Sequence, residues 1–157
     1  MNKLAIPKHL QSWLYAQGSL TKQLTQLAQG QFAVQLQAEY YQRLTLQDSL
    51  WLDMPYHHVA WVRESYLLGV NRQAWVQAKS IFPILSMQTH ARRFKTLKHR
   101  PMGHLLFSRY VPSDCQRRII QLEQGWTRQN RYIWRNSCFI VQETFLPEFE
   151  QFILKSV

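Results

Sequence analysis

The side chains between Phe32 and Tyr41 alternate between apolar and polar, and this alternation restricts the chain to folds that contain a β-sheet. Successive side chains of a strand point to opposite faces, so a period of two predicts a strand with one wet face. Five further strands are predicted at Val59–Val70, Ala74–Phe82, Arg117–Glu123, Arg131–Arg135 and Cys138–Leu146. Short connections, among them a tight turn at Asn136-Ser137, imply hairpins and therefore an antiparallel sheet.

Helical spacing is confined to segments that flank the strands. Apolar residues after Pro7 predict a first helix, and Ser19 has the chemistry of an N-cap for a second helix that closes at Gly30. A basic stretch from about Leu85 to Phe107 is also helical in pattern, with a break at Arg100-Pro101. The predicted fold class is α+β, with helices segregated on one side of a single sheet.

Composition bounds the size and the partners of the protein. The chain has 157 residues, of which 46% are hydrophobic, so we expect one domain with a real core over residues 1–157. Its formal charge of +10 fits a nucleic acid, an acidic membrane surface or a small polyanionic metabolite. Because the basic residues are scattered, a merely solvated basic surface also accounts for the charge.

Two further features bear on the compartment. Cys115 and Cys138 form no CxxC pattern and cannot frame a disulfide scaffold. No apolar stretch approaches the roughly 20 residues that span a bilayer, and the polar start leads into no signal-peptide core. We therefore expect a cytoplasmic protein without a membrane span.

Two charged residues lie in apolar rows of their predicted strands. Arg63 shares its face with Val59, Trp61, Ser65 and Leu67. Glu143 shares its face with Phe139, Val141 and Phe145. A charge among core-facing side chains loses costly hydration unless it is paired or binds a ligand. Three interpretations remain open: a buried salt bridge between the two residues, exposure of either to solvent, or a pocket whose guanidinium captures a carboxylate.

Other candidate sites have less support. Trp126, Arg128, Arg131 and Trp134 could stack and pair with nucleic acid, although such aromatic residues more often belong to a core. The histidines show no spacing typical of zinc, and no G-x-S-x-G motif marks a nucleophile. We therefore expect no metal site.

Six short segments resemble, in order, those of the chorismate lyases of ubiquinone biosynthesis. They are Ser19-Leu20-Thr21-Lys22, Trp61-Val62-Arg63-Glu64, Phe82-Pro83-Ile84-Leu85-Ser86, Arg100-Pro101-Met102-Gly103-His104-Leu105-Leu106-Phe107, Trp126-Thr127-Arg128 and Gln142-Glu143-Thr144-Phe145-Leu146-Pro147. Each segment is short, but their collinear order and spacing over nearly the whole chain make the combined resemblance specific.

The resemblance implies an activity and an architecture. The activity is elimination of pyruvate from chorismate to give 4-hydroxybenzoate, the first committed step toward ubiquinone. The architecture is a six-stranded antiparallel sheet whose helices form flaps over an internal site, in a monomer without metal or cofactor. Chorismate and 4-hydroxybenzoate would then be the ligands, and no nucleic-acid partner is expected.

The resemblance also implies roles for particular residues. Arg63 matches the arginine that binds the ring carboxylate, and Glu143 matches the glutamate that meets the product hydroxyl. Leu20 and Met102 match the apolar substrate-lining positions, where many relatives carry these two residue types in exchanged order. Lys79 stands where many relatives have arginine and is a candidate second anion contact.

A different class of protein has the same fold. Effector domains of some transcription regulators resemble it, and a fold does not fix a function. A non-catalytic ligand-binding domain and a basic nucleic-acid-binding protein are therefore the alternatives to a lyase.

Overall fold

The computed structural model describes residues 5–87, 90–101, 114–134 and 137–156. The strands in this part of the chain are β1 (Ala33–Arg43), β2 (Val59–Leu68), β3 (Ala74–Pro83), β4 (Asp114–Leu122), β5 (Gly125–Trp134) and β6 (Ser137–Phe145). They form one antiparallel sheet in the order β1-β2-β3-β6-β5-β4. The predicted single six-stranded antiparallel sheet is confirmed, and only β5 begins much earlier than predicted.

Helices flank this sheet. Those within the described residues are α1 (Lys8–Tyr15), α2 (Leu20–Leu27), α3 (Leu46–Leu52), α4 (Ile84–Met87) and α5 (Pro147–Lys155). The two predicted N-terminal helices are confirmed, and the Ser19 hydroxyl accepts a hydrogen bond from the backbone N–H of Lys22 at 3.3 Å, as an N-cap should. The basic stretch differs from the prediction, because α4 is followed by a 3-10 segment at His90–Thr96 instead of one long helix.

One face of the sheet carries Arg63, Ser65, Ala78, Val141 and Glu143, and we call it the site face. Two apolar clusters cover its two ends. At one end α1, α2 and α5 pack on the strands in a cluster of ten buried side chains from helices and strands, among them Leu14, Leu24 and Phe149. At the other end the segment from α4 to residue 97 closes over aromatic side chains of β2, β3, β5 and β6. The space between the clusters is where the charged residues lie.

The opposite face has its own cover. Leu52 of α3 packs there with Leu44 against Ala60, Val62 and Ile140. One helix therefore lies on the side that the sequence-based prediction left without any, while the others described above pack on the site face. The α+β class stands, and the prediction of helices on one side only is corrected for α3.

Candidate functional site

Strand register brings the charged residues of the site face together. Along one row across the sheet, Ser65 of β2 pairs with Ala78 of β3, Ala78 with Glu143 of β6, and Glu143 with Arg128 of β5. Arg63 lies two residues away from Ser65 on β2, so its side chain projects from the same face. The pleat of four strands therefore places two arginines and one glutamate above the middle of the sheet.

A cavity of about 530 Å³, its mouth included, lies between the two apolar clusters. Side chains of β2, β3, β5 and β6 form its floor, and residues 18–21 and Pro101 lie around it. Its charged lining residues within the described chain are Arg63, Arg128 and Glu143, which leaves one positive charge in excess. The excess positive charge of this lining favours an anionic ligand.

Arg63 lies at one end of this cavity with part of its guanidinium unused. The residue is only 2% exposed, and its Nη2 donates hydrogen bonds to the backbone oxygens of Lys98 at 2.5 Å and Arg100 at 3.0 Å. Its Nε is buried and has no hydrogen-bond partner among the described residues. Burial lowers the pKa of Arg63, an effect that Glu39 on β1 opposes, but an arginine still remains charged in a protein. A buried cation that forms no ion pair with a described residue favours an anionic ligand.

Glu143 pairs with Arg128, and not with Arg63. Nε of Arg128 donates to the Glu143 carboxylate across adjacent strands, and the two side chains are 2% and 14% exposed. Nη1 of Arg128 donates to the backbone oxygens of Trp13 at 3.0 Å and Ala16 at 3.3 Å. The interpretation of a direct Arg63–Glu143 salt bridge is therefore wrong, and so is exposure of either residue to solvent.

Two further residues, Arg117 and the cavity-lining Tyr132, interact electrostatically with the Arg128–Glu143 pair. Arg117 of β4 donates from Nη1 to the backbone oxygens of Leu14 at 3.1 Å and Ala16 at 2.6 Å. Burial and then the charge of Arg128 lower the pKa of Arg117, whereas Glu143 opposes the change. Burial and then the charge of Glu143 raise the pKa of Tyr132, against the opposing arginines, so its hydroxyl stays protonated and can donate a hydrogen bond.

The predicted site residues are thus partly brought together. Leu20, Arg63 and Glu143 line the same cavity, and Met102 lies outside the described residues. Lys79 pairs in register with Glu64 and Gln142 on the opposite face and does not line this cavity, so the prediction of an anion contact there is wrong. Sequence reasoning missed Arg128 as a site residue, although it lies in one of the six matching segments.

The comparison with known proteins decides the family. The sequence model of the family "Chorismate lyase" matches residues 2–153. The chain belongs to the chorismate lyase family. A probable chorismate pyruvate-lyase of Acinetobacter baylyi is 58% identical over 92% of this chain and 86% of its own length. That of Acinetobacter baumannii is 54% identical over 92% of this chain and 85% of its own. The family resemblance read from the six segments is confirmed.

Solved structures agree on the fold. The effector domain of PhnF from Mycobacterium smegmatis superposes with a TM-score of 0.63, over 83% of this chain and 90% of that domain, at 11% sequence identity. At that identity the likeness concerns the fold alone. It confirms that members of the chorismate lyase family and an effector domain share one architecture. Within the described residues we find no helix long and apolar enough to cross a membrane.

Proposed function

We propose that this chain is a chorismate lyase that eliminates pyruvate from chorismate and leaves 4-hydroxybenzoate, working as one domain over residues 1–157. The observation that carries the proposal is the cavity of the site face, in which the buried Arg63 lies apart from the ion pair between Arg128 and the partly buried Glu143. Family membership supplies the substrate, and the named lyases among the relatives disfavour a non-catalytic ligand-binding domain.

The ring carboxylate of chorismate is assigned to Arg63. The Arg63 guanidinium lines the cavity and can donate to a carboxylate oxygen, while the hydrogen bonds of its Nη2 to the oxygens of Lys98 and Arg100 hold it in place. A charge-assisted hydrogen bond in a site of low dielectric is about twice as strong as a neutral one. The carboxylate in turn compensates a buried charge that lacks a counterion in contact.

The hydroxyl end of the ring is assigned to Glu143. Arg63 and Glu143 are two strand spacings apart across the sheet and one two-residue step apart along it, which puts their Cα atoms about 12 Å apart. Both side chains are long and both line the cavity, so a single ring with substituents at opposite corners can lie between them. The Glu143 carboxylate accepts a hydrogen bond from the C4 hydroxyl in this arrangement.

The reaction requires little acid–base catalysis from protein side chains. The C3–O bond to the enolpyruvyl group breaks, the C4 hydrogen leaves its carbon, and the ring becomes aromatic. In one route that hydrogen moves directly to the enolpyruvyl methylene carbon, and the products are 4-hydroxybenzoate and pyruvate with no atom gained or lost. In a second route Glu143 assists the proton's movement. Either way, the residues orient the ether and exclude water.

The apolar part of the lining serves this exclusion of water. Leu20, Leu67 and Val141 border the ring position, and Met102 is proposed as a further lining residue from the family resemblance. Apolar walls beside a ring favour hydrogen bonding at its two polar ends. We further propose, from the same resemblance, a cytoplasmic monomer that feeds ubiquinone synthesis and needs neither cofactor nor nucleic acid.

The test is the appearance of 4-hydroxybenzoate from chorismate, followed by its ultraviolet absorbance. We expect Arg63→Ala to lower kcat/KM by about a hundredfold or more, because removing one partner of a buried charge contact costs about 2–5 kcal/mol. Glu143→Gln separates the two routes: about tenfold loss fits positioning alone, whereas proton transfer by Glu143 predicts a loss of about 10² or more.

Lys79→Met is the matched control, since it removes a cation from the same sheet on the face that does not line the cavity. It should leave kcat/KM within about twofold of the wild type. Failure of the wild-type chain to form 4-hydroxybenzoate would refute the proposed function. Full activity of Arg63→Ala would refute the assignment of the site.

A further inference from the structure

Arg128 has a nitrogen, Nη2, that donates no hydrogen bond to any residue that the structure describes. Its hydrogen bonds within the described chain come from Nε, which donates to Glu143, and from Nη1, which donates to the oxygens of Trp13 and Ala16. Nη2 takes part in none of them. Because the side chain is 2% exposed and lines the cavity, the open space that this donor can meet is the cavity itself.

A buried guanidinium of this kind is fixed before any ligand arrives. Three hydrogen bonds, one to Glu143 and two to backbone oxygens at the end of α1, fix the orientation of the guanidinium. Its Nη2 therefore cannot turn away from the cavity. An ion pair with Glu143 alone would need only Nε. The planar fork of arginine, in contrast to a lysine ammonium, can hold one carboxylate with Nε and still offer a second terminal nitrogen to another.

The chemistry of the substrate supplies such a second carboxylate. Chorismate is a dianion whose enolpyruvyl side chain is attached at C3, next to the C4 hydroxyl. With the ring carboxylate at Arg63 and the hydroxyl at Glu143, the enolpyruvyl carboxylate falls at the Glu143 end of the cavity. Arg128 is the described cation that lines this end.

We infer that Arg128 binds the enolpyruvyl carboxylate of the substrate through Nη2 while its Nε holds Glu143. This inference rests on the proposed function. It replaces Lys79, which lies on the other face, as the second anion contact. It also gives the site a way to distinguish substrate from product, because 4-hydroxybenzoate carries only the ring carboxylate and does not use this contact.

The test compares two ligands that differ only in the second carboxylate. One is 4-hydroxy-3-methoxybenzoate, and the other is 3-(carboxymethoxy)-4-hydroxybenzoate, whose ether-linked carboxylate stands where the enolpyruvyl group stands. Calorimetry gives the dissociation constant of each ligand, and the quantity of interest is their ratio in each variant. A loss of folding or of Glu143 positioning weakens both ligands, whereas loss of the proposed contact weakens only the second.

We expect the ratio of the two dissociation constants, which measures how much the second carboxylate tightens binding, to fall about tenfold or more in Arg128→Met. It should fall about threefold in Arg128→Lys, which keeps a charge but has a single nitrogen. Arg118→Met and Arg118→Lys on β4 are the controls, because Arg118 contacts Trp51 and Gln129 away from the cavity, and they should leave the ratio unchanged.

A ratio equal to that of the wild type in Arg128→Lys would overturn the inference, and this variant decides the matter even if circular dichroism shows that Arg128→Met does not fold. Equal weakening of both ligands in Arg128→Met would assign Arg128 to positioning Glu143 only. Turnover of chorismate by the wild type is measured separately. A chain that turns chorismate over with an unaltered ratio in the variants contradicts this inference and leaves the proposed function standing.

Discussion

Removing Arg128 should cost more stability than removing Glu143, and the two losses should not add. Arg128→Met strands the Glu143 carboxylate in a site where it is 14% exposed, and it deletes the hydrogen bonds to the oxygens of Trp13 and Ala16. Breaking a buried pair from one side costs about 3–5 kcal/mol. The cavity can admit water to Glu143, so we expect the lower end, about 3 kcal/mol.

Glu143→Gln should cost about 1–2 kcal/mol, because the amide oxygen still accepts from Nε of Arg128. The double variant Arg128→Met/Glu143→Gln should be more stable than the sum of the single losses by at least about 1 kcal/mol, since no carboxylate is then left without its partner. Urea unfolding followed by tryptophan fluorescence measures all four free energies of unfolding. Additivity within about 0.5 kcal/mol would refute the reasoning that the two side chains form one buried unit.

Two other expectations concern stability. Gly69→Ala should lower the free energy of unfolding by about 2 kcal/mol or more, because a Cβ there would lie 2.0 Å from the buried ring of Trp75; a thermal midpoint equal to that of the wild type would contradict the close contact. The pKa of Tyr132 is raised in the folded protein, so its neutral hydroxyl favours the fold fully below the ordinary tyrosine pKa of about 10. As pH rises above 10, the free energy of unfolding falls by up to about 1.4 kcal/mol per pH unit. Tyr132→Phe should therefore lose less stability than the wild type between about pH 10 and 11 in urea titrations, and parallel losses would show that this hydroxyl is not the cause.

The sheet could be predicted from the sequence because most of its strands show an alternation of apolar and polar side chains within a single segment. Alternation along β1 is visible in ten consecutive residues, and the proline that ends β3 marks its own boundary. The start of β5 was less visible, because its buried side chains include Thr127, Arg128 and Asn130, whose polar character hides the alternation. Strands that bury polar groups at a site lose the pattern on which prediction depends.

Two helices were missed for different reasons. Helix α3 is only seven residues long. Its start signal is the N-cap Thr45, whose hydroxyl accepts a hydrogen bond from the backbone N–H of Asp48. Helix α5 begins at Pro147 with two glutamates in its first turn, which are ordinary marks of a helix start. The sequence-based prediction ended with the last strand at Leu146 and did not include this helix.

The candidate site could be predicted only in part, because pairing between strands is not a local property. Periodicity identified Arg63 and Glu143 one at a time. The partner of Glu143 depends on register: a turn centred on Asn136-Ser137 opposes Glu143 with Asn130, whereas the observed pairing of Trp134 with Ser137 opposes it with Arg128. A shift of one residue in a turn therefore changed which side chain neutralises the glutamate.

The backbone oxygen of Ala16 accepts hydrogen bonds from both Arg117 and Arg128. The backbone at the end of α1 therefore helps to hold two arginines at or beside the cavity, so the first helix is not an independent module packed on a finished sheet. An engineer who shortens α1, grafts it from a distant relative or anchors a tag against it changes the surroundings of Arg128, which lines the cavity, and of its neighbour Arg117. Sequence drift in α1 should accordingly be constrained by ligand chemistry as well as by packing.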